Sequence, residues 1–126
     1  MSQPSKKELE VLNHLWKLKK GFLKDIIDQF EDPKPAYTTV ATMINRMIAK
    51  KYIGFKMYGR DKEYYPLLNK STYFSGQLKS MVQNFFDNSP AQFASFFTKD
   101  SDLTLEQLQE LRTLVDSEIS NKAKDA

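Results

Sequence analysis

Between positions 38 and 50, six polar side chains (Thr38, Thr39, Thr42, Asn45, Arg46 and Lys50) recur at helical intervals. With 3.6 residues per turn, they gather on one side of a helix. The set holds hydroxyls, an amide and two cations, and no acid. Such groups contact phosphate oxygens and read base edges in a duplex groove. Thr38 and Thr42 suit base edges or thymine methyls near the helix N-terminus. Thr39 and the first-turn amides suit a phosphate. Arg46 and Lys50 suit phosphate contacts, with Arg46 also able to read guanine. A second cationic set, Lys56, Arg60 and Lys62, brackets Gly59, and places Arg60 to enter a minor groove or hold its phosphates.

Other chemistry is scarce. The chain has no cysteine, which excludes disulfides, thiolate metal sites, iron–sulfur clusters and Cys nucleophiles. His14 is the single histidine, too few for a structural zinc site. No Gly-rich phosphate loop or nucleophile–His–acid set is present. Asp25 and Asp28, beside Lys24, read as a solvated helix face. The expectation is a protein that is not an enzyme, with no cofactor and no metal site.

The elements that must position these residues are legible from periodicity. Ser5-Lys6-Lys7-Glu8 has the form of a capping box. It opens a helix burying Leu9, Leu12 and Trp16, which Gly21 ends after the Lys17–Lys20 run. A second helix spans 23–30, with Ile26, Ile27 and Phe30 on one face, and Pro33 and Pro35 close it. The third starts between Ala36 and Thr38 and carries the stripe Val40, Met43, Ile44, Met47, Ile48 opposite its polar face. The period then drops to two. Ile53, Phe55 and Met57 alternate with Gly54, Lys56 and Tyr58, a half-buried strand. Gly59-Arg60-Asp61-Lys62 supplies a turn and 63–67 a returning strand.

Three helices followed by a hairpin is the order of a winged helix-turn-helix, whose helix after the turn enters a major groove. The fold expected is mostly α with a small β-hairpin wing: a winged-helix DNA-binding domain over 1–68 and a helical dimerisation domain over 69–126. In the second part, Phe74, Leu78, Met81, Val82 and Phe85 form an apolar stripe on one helix. Ser89-Pro90 starts a short helix through Phe93, Phe96 and Phe97. Thr104-x-x-Gln107 opens a last helix with Leu105, Leu108, Leu111 and Val115 inward, and the tail 121–126 reads as frayed. A unit this small buries too little of its own surface, and two-fold pairing is the simplest remedy. The expected dimer contacts are Phe74, Leu78, Met81, Val82, Phe85, Phe96, Leu108, Leu111 and Val115.

Composition agrees with this division. The 126 residues are 40% hydrophobic and 28% charged, an ordinary globular balance. The net charge is +3, but residues 1–66 carry +5 and the remainder −2, so the first part suits a polyanion. No apolar run approaches the roughly 20 residues of a membrane span. The polar N-terminus lacks the apolar core of a secretory signal, so a cytoplasmic location is expected.

Ser5-x-x-Glu8 ahead of Trp16 resembles the start of the penicillinase-repressor family of bacterial transcriptional repressors. So do Thr39-Val40-Ala41-Thr42-Met43-Ile44-Asn45-Arg46-Met47, the following wing with Gly59-Arg60 and Tyr65-Pro66, and the later Phe96-Phe97-x5-Leu103-Thr104-x-x-Gln107-Leu108-x-x-Leu111. The resemblance spans about residues 5–115. It implies a homodimer on a palindromic double-stranded DNA operator, a C-terminal helical dimerisation domain, and relief of repression when a membrane-bound sensor protease triggers C-terminal cleavage. Three departures stand out. Lys51 occupies the place where the family commonly has a glycine after the recognition helix, so this corner is expected to close differently. Ser95-Phe96 aligns with the family's scissile Asn-Phe pair, and the Asn is absent. The Cys-rich metal motif of the copper-responsive branch is missing. Two rival readings follow: a winged-helix protein-interaction module, disfavoured by the acid-free face, and a small-molecule-responsive regulator with a pocket among the Phe-rich helices.

Overall fold

The computed structural model describes residues 3–125; the ends of the two expected domains at 1, 2 and 126 lie outside them. The elements are α1 (Lys6–Leu18), β1 (Gly21–Phe22), α2 (Leu23–Asp28), α3 (Tyr37–Ala49), β2 (Ile53–Tyr58), β3 (Asp61–Pro66), α4 (Lys70–Phe85), α5 (Pro90–Asp100) and α6 (Leu105–Asp125). The mostly helical winged-helix class is observed. The chain divides into two compact units, with the break between Ser75 and Gly76 inside α4.

In the first unit, α1 begins with the expected capping box. The Glu8 amide donates to Ser5 Oγ at 3.2 Å, and the Ser5 amide donates to Glu8 Oε1 at 2.8 Å. Val11, Leu12 and Leu15 are the fully buried residues of α1, whereas Leu9 and Trp16 only flank the core. Trp16 instead donates its indole N–H to the Leu68 carbonyl at 2.9 Å and meets Phe74 edge-on. Gly21 does not end α1. Lys19 turns the chain at φ 71°, its amide bonded to the Leu15 carbonyl, and Gly21 enters β1. The periodicity had no signal for so short a strand. β1 pairs antiparallel with β3, giving a three-stranded sheet in the order β1-β3-β2. The second helix is shorter than expected; Asp25 and Asp28 are exposed on it, as a solvated face requires, and Asp25 also accepts from the Phe22 amide at 2.9 Å.

Val40, Ile44 and Met47 bury one side of α3 against Leu12, Leu15, Leu23, Ile26, Ile53 and Tyr64. Burying aliphatic side chains of this size stabilises by about 1.5–3 kcal/mol each. The corner after α3 closes in the left-handed conformation even though Lys51, not glycine, stands there, with φ 66°. The Lys51 amide bonds the Ile48 carbonyl and the Tyr52 amide bonds the Met47 carbonyl, the paired bonds of a Schellman cap. Buried Tyr52 lies in the same core cluster as Met47 and anchors the cap. The corner therefore keeps the geometry that a glycine would suit.

The hairpin has a two-residue loop, Gly59-Arg60, between paired Tyr58 and Asp61. Gly59 has φ 61°, where a side chain would be strained. The half-buried strand is corrected: Ile53 is buried, but Phe55 and Met57 are exposed because the wing projects beyond the core. The Tyr65 ring covers Gly54, where a Cβ would sit 2.7 Å from it.

Asn69, still in the first unit, caps α4 through the Thr72 amide; in the second unit Ser89 caps α5 through Gln92, and Thr104 with Gln107 forms the expected box on α6. Phe86 packs on Phe93 and Phe96, and Phe93 stacks on Phe97 at 6.0 Å. No side chain described on α4, α5 or α6 is fully buried. Leu105 and Val115, expected inward, are 71% and 57% exposed, because no described residue buries them. The tail is not frayed: α6 continues through Asp125.

Two stability effects follow. Lys51→Gly should raise the urea-unfolding free energy by about 1 kcal/mol, by relieving the left-handed strain. Glu8 is 6% exposed and its carboxylate meets Lys50 Nζ at 3.2 Å. Burial opposes its charge, but the Ser5 amide and Lys50 outweigh this and hold its carboxyl below the usual 4.5. Glu8 therefore stabilises the fold above that value, and the contribution disappears as pH falls through the lowered value. Glu8→Ala should cost about 1–2 kcal/mol in urea unfolding at neutral pH, and less in acid.

Candidate nucleic-acid interface

The core contact of α3 decides which of its residues face outward. With Val40, Ile44 and Met47 inside, Thr38, Thr42 and Asn45 form the outermost line, and all are exposed. The helix start favours anions. Ala36 caps α3 without a side-chain hydrogen bond, and no acid lies in the first turn. The amides of that turn keep their donors and the positive end of the helix dipole.

Two grooves flank this line. One, of about 430 Å³, lies between α3 and the wing and brings Asn45 together with Arg60 and Lys62. Tyr37 and Lys24 also line it. The other, of about 390 Å³, lies between α3 and the start of α1 and brings Thr39, Arg46 and Lys50 together with Lys7. The residues predicted from sequence thus fall on two sides of one exposed ridge. Lys56 lies on the wing and is in neither groove.

The cations differ in their engagement. Arg46 makes no ion pair among the described residues, and neither does Arg60 at the wing tip. Lys50 is held by Glu8, so much of its charge is already balanced. It also lies over the Tyr52 ring at 5.9 Å. On the wing, Lys62 Nζ sits 4.6 Å from the centre of the Phe55 ring and Lys56 Nζ 5.6 Å from that of Tyr58. These contacts hold the ammonium groups over aromatic faces without neutralising them.

Three residues at this surface were missed from sequence. Tyr37, 65% exposed, stands at the first position of α3. Its spacing of four from Ala41 and eight from Asn45 marks the stripe that faces the wing, a signal available before folding. Lys7 and Lys24 come from other helices, and only packing brings them here.

Among the expected dimer contacts, Leu78, Met81, Phe85, Phe96 and Val115 are exposed, whereas Val82, Leu108 and Leu111 are half-buried. Phe74 lies in the first unit, its ring 5.8 Å from that of Trp16. Ser95 and Phe96 lie within α5, exposed. No helix among the described residues is long and apolar enough to cross a membrane.

No curated protein matches the chain. Among solved structures, it is similar to a CopR repressor structure (26% identity over 54% of this chain and all of that one, TM-score 0.45). It is also similar to the oxidised form of MarR from E. coli (12% identity over 87% of this chain and 71% of that one, TM-score 0.44). The family model for the penicillinase repressor matches residues 4–117. Matched over nearly its whole length, the chain belongs to the penicillinase repressor family, a family of DNA-binding transcriptional repressors.

Proposed function

We propose that the chain represses transcription as a cytoplasmic homodimer, each subunit laying α3 in a major groove of a palindromic operator while the wing follows the backbone. The observation that carries this reading is the exposed, acid-free ridge of α3 with an uncapped N-terminus and cation-bearing grooves on both sides. Thr38, Thr42 and Asn45 meet base edges, and Thr39 meets a phosphate at the helix start. Arg46 reads guanine or clamps a phosphate. Arg60 enters the minor groove or grips its walls. Lys56 and Lys62 add backbone contacts from the wing, and Lys50 contributes a weaker one because Glu8 shares its charge.

Dimerisation follows from the second unit, where the helices hold no fully buried side chain yet expose Leu78, Met81, Phe85, Phe96, Leu105, Leu114, Val115 and Ile119. A second copy would cover this surface and set two α3 helices about one helical turn of DNA apart. Relief of repression would come from cleavage at Ser95–Phe96 under control of a membrane-bound sensor protease. That bond lies inside α5, where the Ser95 carbonyl accepts from Thr98 Oγ1 at 3.3 Å. A protease acting there must first unwind the helix. The small-molecule alternative finds no support among the Phe-rich helices, where the described rings pack on one another.

Arg46→Ala should weaken binding to the DNA upstream of the chain's own gene by about tenfold or more in a mobility-shift titration, with an unchanged melting temperature. Equal binding by this variant removes Arg46 from the interface. Absence of any shift at low salt removes the DNA reading of the whole site. The affinity should also fall steeply with added salt. Val115→Asp should shift the sedimentation mass from dimer to monomer and reduce operator affinity while leaving the first unit folded. A wild-type chain sedimenting as a monomer overturns the dimer.

A further inference from the structure

The same helix that carries the ridge is packed, on another side, over the chain's single histidine. Both ring nitrogens of His14 are buried and have no hydrogen-bond partner among the described residues. The ring stands edge-on to Phe30, with centroids 4.4 Å apart. It borders a cavity of about 490 Å³ walled by α1, the end of α2 with the loop after it, and α3 through Thr39, Val40 and Met43. Phe30 is itself tied down: Lys34 Nζ donates to its carbonyl at 2.7 Å and to that of Asp28 at 3.2 Å. His14 therefore supports the α2–α3 turn, the angle on which a helix-turn-helix depends.

We propose that His14 is an acid-sensitive latch, whose protonation opens the packing of α1 against the α2–α3 turn and weakens the hold on DNA. A neutral imidazole tolerates this place because it brings one donor and one acceptor and no charge. An imidazolium brings a full charge and two N–H donors at nitrogens that have no partner among the described residues, and an unpaired charge at buried atoms is far costlier than a neutral group there. The surrounding charges do not rescue it. On α1, Glu10 favours the cation while Lys7 and Lys17 oppose it. Glu31 comes from the loop, whereas Lys34 adds an opposing charge behind Phe30. The lining residues from α3 carry no charge at all. Burial accordingly keeps the ring below its ordinary 6.5, so stability is full above that value and declines as pH falls below it. Protonation relieves itself when the ring swings into water, which frees Phe30 and loosens α3.

The sign of the effect separates the latch from plain electrostatics. An added positive charge near a DNA-binding face strengthens binding, whereas an opened latch weakens it. This inference rests on the DNA-binding reading above, so its test has an arm without DNA. With the full chain, NMR would follow the imidazole Cε1–H and the exchange of α3 amides from about pH 8 down to about pH 5, below the ordinary histidine range because burial lowers this ring. Protonation should coincide with faster amide exchange along α3. Mobility shift with the upstream DNA should show a several-fold loss of affinity at about pH 5 in the wild type and a flat profile in His14→Phe, which keeps the ring contact with Phe30. His14→Leu serves the same comparison if the Phe variant does not fold. An imidazole that protonates without any change in α3 exchange overturns the latch, as does a wild-type pH profile shared by the variants. Failure to shift DNA at every pH sinks the operator reading and leaves the exchange result to decide the latch.

Discussion

The burial of Val40, Ile44 and Met47 between α1, α2 and the base of the wing sets the rotation of α3 about its own axis. Successive residues are 100° apart on a helix, so a slip of one position would turn Met43 or Ile48 outward and carry Thr42 or Asn45 toward the core. The apolar wedge prevents this, because exposing even one such side chain costs more than any single polar contact on the opposite face returns. Groove geometry, first-turn amides and the placement of Arg46 all inherit that rotation.

Both ends of α3 are then secured by different means. Its beginning follows a loop with two prolines and leaves its amides uncapped, which suits an anion better than an internal partner. Its end is closed by the bonds from Lys51 and Tyr52 and by the Lys50–Glu8 pair. That pair couples the C-terminus of α3 to the N-terminus of α1. The outward face is cationic without being crowded, because Glu8 absorbs the cation nearest α1 and aromatic rings support two others on the wing. His14 borders a neighbouring cavity that shares Lys7, Thr39 and Met43 with the Arg46 groove, and its ring nitrogens are buried there without a partner among the described residues.

The second unit obeys another constraint. Its capped helices are well formed, and its phenylalanines pack locally, but it closes no core of its own. Small helical units of this type gain stability only by burying apolar faces elsewhere. The first unit is organised around an internal core, whereas the described helices of the second leave their apolar side chains exposed or half-buried.

Much of this was legible in the chain itself. The three capping pairs, the stripe of α3 and its acid-free face are local features, governed by helix periods and by hydrogen bonds three residues apart, so spacing alone determined them; the hairpin was legible too, but Asp61 and Lys62, read as turn, pair in the strand and leave a two-residue loop. Tertiary structure decided what no local period encodes: that Lys50 is spent on Glu8, 42 residues away, while Arg46 makes no ion pair among the described residues. It also decided that a two-residue strand joins the wing, that Lys19 and Lys51 take left-handed turns without glycine, and that both nitrogens of His14 lose water without gaining a partner. The reason is that an ion pair, a buried polar atom and a strained backbone angle each depend on which distant groups are packed alongside, and that information exists only once the chain has closed on itself.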